Sequence, residues 1–318
     1  MSTTSVNAGI TAGPRDSDAL FYKVFSGEVL TSFSSATVLK ERIRIRNITN
    51  GKSAGFNAIG KVTADYHQPG NVILGQKVNN GEITITIDDM LLADTFISNY
   101  EEAKLHYEVR SEYTKQMGVA LAQTYDRQLF AMALKKARAG QAGPVTEIGA
   151  AQSLSIGAAP STATIITKLF LAAQKLDEAN IPSEDRFAYV SPAVFYALAQ
   201  DTSLVNKWYS DSNGDYAKGI IKTVAGIDLI KTNNLAVNHT TGTTQGSQAG
   251  SATTDYAVVA TDTIALVMQR AALGAVHLMD IASESEYQVS RQGSLMVSKM
   301  AVGYGMLRPD CVIELRGN

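Results

Sequence analysis

Leu20, Phe21, Val24, Phe25, Val29, Leu30 and Phe33 recur at three- and four-residue intervals. This spacing predicts a short amphipathic helix over 18–33, capped by Asp16, Ser17 or Asp18. Gly27 weakens its middle by about 1 kcal/mol relative to alanine. Residues 1–16 are rich in Ser, Thr and Gly and read as a mobile arm. From 40 to 48 the run KERIRIRNI alternates, with Arg42, Arg44 and Arg46 on one face and Ile43 and Ile45 on the other, as in a strand. Extended segments follow at 55–66 and 71–78. Between them HQPGN places Pro69 and Gly70 where a type II turn wants its two central residues. Asn79-Asn80-Gly81 is a second turn signal, and EITITID then sets Ile83, Ile85 and Ile87 on one face. These pieces predict a long hairpin, with a first leg of about a dozen residues reaching roughly 40 Å.

Residues 99–139 carry a helical pattern without proline. Leu105, Val109, Tyr113, Met117, Leu121, Tyr125 and Leu129 follow one another every four residues, so the stripe drifts around the helix. Forty residues give about 60 Å, longer than the roughly 50 Å diameter of a globule of this chain length. An elongated molecule with this helix as its spine is expected. A Gly/Ala/Ser-rich link at 139–163 marks a domain boundary. Beyond it come a helix at 164–180 stopped by Pro182, a strand RFAYVS, and a helix AVFYALAQ opened by Ser191-Pro192. Strands are expected at 227–231, 256–260 and 264–268, with a flexible loop at 239–254. The tail, 284–316, returns to strand alternation. This order is α+β: a first region, an inserted α/β domain, and a return to the first.

Composition narrows the function classes. Hydrophobic residues make up 45% and charged residues 18%, enough for a real core. Lys and Arg number 28 against 30 Asp and Glu, so the basic excess that tight nucleic-acid binding needs is missing. The one cysteine, Cys311, excludes an intrachain disulfide and a cysteine-cluster metal site. It reads as a buried structural thiol. The first residues lack a signal-peptide h-region, and no stretch approaches ~18 apolar residues, so no membrane partner is expected.

The candidate chemistry is thin. Gly51-Lys52-Ser53 resembles the end of a phosphate-binding loop, but Arg46 stands where that motif needs its first glycine, and SAGFNAIGKV reads as strand. His67, His106, His239 and His277 show no metal-site spacing. Asp88-Asp89 would point to opposite faces of a strand and reads as a cap for the segment DMLLADTFI. Glu101 and Glu102 near the start of the spine helix, and Lys135 and Arg138 near its end, read as dipole and solvation effects. The arginine face of 42–46 reads as a solvated strand face, a contact for a neighbouring copy, or a weak, salt-sensitive contact for nucleic acid. No catalytic residue, cofactor or metal is expected.

What remains is apolar surface without an evident internal partner. A lone two-stranded hairpin is marginal in water, yet this one carries Phe56, Ile59, Val62, Tyr66, Val72, Ile73 and Val78. Each large apolar side chain left open forgoes about 1.5–3 kcal/mol, and several together rival a typical net folding stability. The helix at 18–33 poses the same problem. Another copy of the chain is the expected partner of both.

Four segments carry a family resemblance: DALFYKVFSGEVLTSF, GKSAGF with YHQPG after it, TIDDMLLADTFI, and RSEYTKQMGVALAQTYDRQL. Over 18–138 they resemble the major capsid proteins of tailed bacteriophages of the podovirus, autographivirus type, which have the HK97-like fold. The resemblance implies an N-terminal arm and short helix at 1–50, an E-loop hairpin at 51–90, and a P-domain at 91–159 and 283–318. It also implies an inserted A-domain at 160–282. It implies hexamers and pentamers closing into an icosahedral head around double-stranded DNA. A scaffolding protein and a portal protein would be partners, in the host cytoplasm during assembly and then in the virion. Lys52, Lys61 and Lys77 lie in the hairpin region, but with no catalytic glutamate identified no crosslinks are expected. The residues expected at contacts between subunits are Phe21, Phe25, Arg42, Arg44, Arg46, Tyr66, His67, Pro69 and Gly70. Three other readings stay open here: an encapsulin-like compartment with the same fold, a phosphate-binding enzyme using Gly51-Lys52-Ser53, and a soluble adhesin or tail structural protein with a small fixed copy number.

Overall fold

The structure is a computed structural model. It describes residues 16–73, 75–104, 109–145, 147–158, 160–201, 204, 214–215, 218–235, 237 and 256–317, without the side chains of 16–24, 101–103, 109 and 214–215. The chain divides into two compact units, one of residues 1–37, 90–123 and 279–300 and the other of 38–89, 124–278 and 301–318.

In the first unit, α1 runs from Asp16 to Ala36 and buries Phe25, Val29 and Phe33. Its partner is in the same chain. A Cβ at Gly118 would lie 2.6 Å from the Val29 carbonyl oxygen and 2.8 Å from Ser32 Cβ, so the backbones approach where the long helix has no side chain. Ser111 Oγ donates to Glu28 Oε1 across the same contact at 3.3 Å. Phe25, Val29 and Phe33 thus find cover within the chain and not on another copy as expected, while Leu30 stays exposed and the side chains of Leu20, Phe21 and Val24 lie outside the described residues.

The chain then passes through a 3-10 turn at Lys40–Arg42 into β1, Arg44–Asn47. KERIRIRNI is therefore half turn and half strand. The turn is fixed from a distance: the carboxylate of Asp126, fully buried, accepts the Val38 N–H at 2.8 Å and the Leu39 N–H at 3.2 Å. The hairpin follows as β2, Ser53–Ile59, and β3, Asn80–Thr86, paired antiparallel from Ser53↔Thr86 to Ile59↔Asn80. Asn79-Asn80-Gly81 is not a turn; it opens the returning strand. Strand β4, Leu91–Ser98, occupies DMLLADTFI. Asp88, expected to cap that segment, is buried and accepts from the Tyr256 hydroxyl.

The spine pattern resolves into α2, Asn99–Lys104, and α3, Val109–Arg138. The 30 residues of α3 span about 45 Å. Of its four-residue stripe, Met117, Leu121, Tyr125 and Leu129 are buried, while Tyr113 is exposed. From Gln128 to Leu134 every residue is buried, as befits a helix enclosed on all sides. The expected link at 139–163 contains a strand, β5, Gln152–Ser155.

Next come α4, Thr162–Glu178, then β6, Arg186–Val190, and α5, Pro192–Ala199, whose N-cap Ser191 accepts the Val194 N–H. Short strands β7, Gly214–Asp215, β8, Ile220–Ile221, and β9, Thr223–Val224, precede β10, Ile227–Lys231. The expected strand at 256–260 is only a bridge at Val258, and the loop at 239–254 lies outside the described residues. The chain ends with β11, Thr263–Gln269, β12, Leu273–Gln288, β13, Gly293–Met306, a 3-10 turn at Pro309–Cys311, and β14, Val312–Arg316.

Two larger sheets organise most of these strands, with β2-β3 and β7-β8 as separate two-stranded pairs. One has the order β1-β12-β13-β4, the other β5-β14-β11-β6-β10-β9. The second draws β5 and the C-terminal β14 together with strands of the expected inserted domain, so sheet membership does not follow the sequence boundaries at 160 and 282. Cys311 is fully buried as expected, and burial pushes its thiol up to about 12.

Candidate functional site

The hairpin is rooted by its alternation. Ala54, Ile85 and Ile87 are buried, and Ile85 and Ile87 rest on a part of β13 that sequence reading passed over, Gly303-Tyr304-Gly305. A Cβ at Gly303 would lie 2.1 Å from the Thr86 carbonyl oxygen, and one at Gly305 would lie 2.5 Å from Ile85 Cγ1. Glycine inside a strand often marks such a close approach. Tyr304, between the two glycines, points away into the core, its ring edge-on to Tyr125 at 5.3 Å and to Tyr256 at 6.1 Å. The small-large-small pattern of 303–305 was the available signal.

Beyond the seven-pair ladder the two legs continue without strand pairing. Gly60 N–H donates to the Asn79 carbonyl at 2.8 Å, and Gln76 bridges Thr63 and Asp65 at 3.0 and 2.8 Å. The tip is the expected type II turn: Asn71 N–H bonds the Gln68 carbonyl at 3.2 Å, with Gly70 at φ +98. Tyr66, His67, Pro69 and Gly70 are all exposed here. Val62, Tyr66, Val72 and Ile73 stand at 70%, 107%, 82% and 78% exposure. Covering these four would yield roughly 6–12 kcal/mol at 1.5–3 kcal/mol each.

The three arginines do not form one stripe. Arg42, in the 3-10 turn, donates to the Val38 carbonyl at 2.6 Å and sits 5.3 Å over the Phe187 ring. Arg44 and Arg46 lie exposed on β1 beside the hairpin root. Arg46 donates to the Gly55 carbonyl and covers the Phe56 ring at 5.9 Å. Phe25, expected at a subunit contact, is instead 2% exposed within its own chain. The side chain of Phe21 lies outside the described residues.

Gly51 (φ +116) and Lys52 lead into β2, and the Lys52 carbonyl accepts the Ile87 N–H, so Gly51-Lys52-Ser53 opens a strand and not a helix. His277 is buried with Tyr125 Oη 3.4 Å from its Nε2; His106 and His239 lie outside the described residues. Among the described residues no group of His, Cys, Asp and Glu is placed to hold a metal ion, and no helix is long and apolar enough to cross a membrane.

Sequence reading also missed an ion network. Arg138 is not a solvated helix end: its Nη2 meets Glu314 Oε1 at 2.6 Å and Asp262 Oδ1 at 2.7 Å, while Nη1 donates to the Val259 carbonyl. Glu314 is fully buried. Burial opposes the charge on Arg138, but the hydrogen bonds and attraction of Glu314 and Asp262 outweigh it, and its pKa rises. Asp262 is pushed up by burial and more strongly down by Arg316 and Arg138, ending below the usual carboxylate range.

A family model described as Gp10A-like, major capsid protein, matches residues 56–316. The major capsid protein of Escherichia phage T7 is 32% identical over 98% of this chain and 94% of its own length. In the capsid structure of the cyanophage P-SCSP1u, one chain matches with a TM-score of 0.78 and 36% identity, covering 89% of this chain and 88% of that one. A chain of the bacteriophage PhiM1 mature capsid, at 16% identity, shares the fold with a TM-score of 0.73 over 100% of this chain and 91% of its own. The fold is α+β and HK97-like. With the model spanning most of its length and the T7 protein matching it nearly end to end, the chain belongs to the Gp10A-like major capsid protein family.

Proposed function

We propose that the chain is the shell subunit of an icosahedral phage head, closing as hexamers and pentamers around double-stranded DNA, with the hairpin laid over the next subunit. It is a structural protein, as the family is, and not an enzyme. The observation that carries the reading is the distal hairpin: Val62, Tyr66, Val72 and Ile73 stand open on a stalk rooted firmly in its own chain. Several neighbours covering such stalks give each subunit interfaces of the usual ~1,200–2,000 Å². In this reading 51–90 is the E-loop, 91–159 with 283–318 the P-domain, and 160–282 the A-domain. Arg44 and Arg46 face a neighbour or contact packaged DNA weakly. A scaffolding protein and a portal protein join during assembly in the host cytoplasm, before the subunit resides in the virion. Changing both Pro69 and Gly70 to serine tests the hairpin's part. Shell yield should drop with the subunit still folded, and undiminished yield counts against the reading.

A further inference from the structure

The hairpin ladder ends at the Ile59↔Asn80 pair, and just there a second piece of chain closes on it. Residues 141–145 and 147–151 leave the end of α3 and return to it, their ends tied by Ala151 N–H to the Gln141 carbonyl at 3.0 Å. Val145 anchors this loop by burial, and Ile148 N–H donates to the Val145 carbonyl at 3.1 Å. Two of its residues touch the hairpin. Glu147 Oε1 accepts from Asn79 Nδ2 at 2.8 Å, and a Cβ at Gly60 would lie 3.1 Å from the other oxygen of that carboxylate. Pro144 presses on the returning leg: a Cβ at Gly81 would lie 2.9 Å from the Pro144 carbonyl oxygen and 3.1 Å from the Pro144 Cβ. Glu147 therefore meets Gly60 on the outgoing leg and Asn79 on the returning one. Gly81 is needed by this approach, not by a turn. Phe56, Ile59, Gly60, Lys61 and Glu147 line one cavity of about 330 Å³, so the contact is a seam with room and not a packed core.

We infer that this loop is a clasp, with Glu147 and Pro144 positioning residues that set the direction in which the distal hairpin leaves its root. A two-stranded stalk has little stiffness of its own once its ladder stops. The bond to Asn79 and the wedge at Gly81 fall at that point, where a small rotation moves the tip furthest. The clasp belongs to the unassembled subunit and does not depend on shells forming.

The test is limited trypsin cleavage of the dilute, unassembled full-length chain, followed by mass spectrometry at Lys61 and Lys77, with thermal unfolding recorded in parallel. Glu147→Ala should raise cleavage at those two lysines about three- to tenfold, the factor carried by one hydrogen bond of ordinary net strength. Its unfolding temperature should stay close to that of the unchanged protein. Glu147→Gln keeps an acceptor for Asn79 and should restore slow cleavage, which a role through charge or bulk stability would not. Asn79→Ala, on the exposed side of the same bond, should reproduce the loss and serves if Glu147→Ala does not fold. Unchanged cleavage in Glu147→Ala and Asn79→Ala overturns the clasp. That result leaves shell formation by the Pro69/Gly70 variant to be judged separately.

Discussion

Arg138→Met should be among the most damaging single changes available in this chain. The guanidinium gives Nε to both oxygens of Glu314 at 3.0 Å and Nη2 to Oε1 at 2.6 Å, and it also serves Asp262 and the Val259 carbonyl. With it gone, Glu314 keeps the hydroxyls of Ser153 and Thr263, at 3.1 and 2.9 Å, but no opposing charge from Arg138, and remains fully buried. Stranding a buried charge this way costs about 3–5 kcal/mol, against a typical net stability of about 5–15. With a urea slope of ~3 kcal/mol/M the midpoint should fall by about 1–1.7 M. The assay is urea unfolding of unassembled subunits followed by far-ultraviolet circular dichroism. Arg138→Met with Glu314→Met should recover at least half of the loss, because an apolar pair carries no stranded charge. A single variant within about 1 kcal/mol of the unchanged protein would refute the claim that this pair locks the end of α3 to β14.

Three further outcomes follow from particular contacts. Gly303→Ala drives a Cβ into the backbone of Thr86 and Ile87, so urea unfolding should show a loss of about 2–3 kcal/mol; a silent substitution would mean the hairpin root is not seated as described. Gly27→Ala meets nothing within 4 Å on α1 and should stabilise by up to about 1 kcal/mol in the same assay. Because Asp262 is held below the usual carboxylate range, its contribution is present above an ordinary pKa near ~3.9 and disappears as pH falls through the lower folded value. Urea midpoints taken from pH 6 downward should therefore drop more steeply for the unchanged protein than for Asp262→Asn.

Elements whose determinants are local were legible in the sequence. Ile165, Leu169, Ala172, Ala173 and Leu176 form the buried stripe of α4, Ser191-Pro192 opens α5, and Pro69-Gly70 makes the turn that its residue types require. Errors came where a distant residue decides. Asp126 bends the chain at Val38 from 88 positions away, which turns the first half of an apparent strand into a 3-10 turn and scatters the three arginines. Glu314 captures Arg138 across 176 positions, so a residue that reads as a solvated helix end is half of a buried pair. The same holds for the hairpin. Its tip could be read from composition, whereas its seat could not, because Gly303 and Gly305 show their purpose only beside Thr86 and Ile85. The helix at 18–33 misled in another way, since periodicity shows that a face needs cover without saying that α3 of the same chain supplies it.

Self-assembly is the central claim, and particle size tests it most directly. The purified chain, expressed alone and then with a scaffolding partner, would be examined by sedimentation and negative-stain microscopy. The account predicts closed shells, or sheets and tubes built from capsomers. A monodisperse monomer or dimer under both conditions would contradict it.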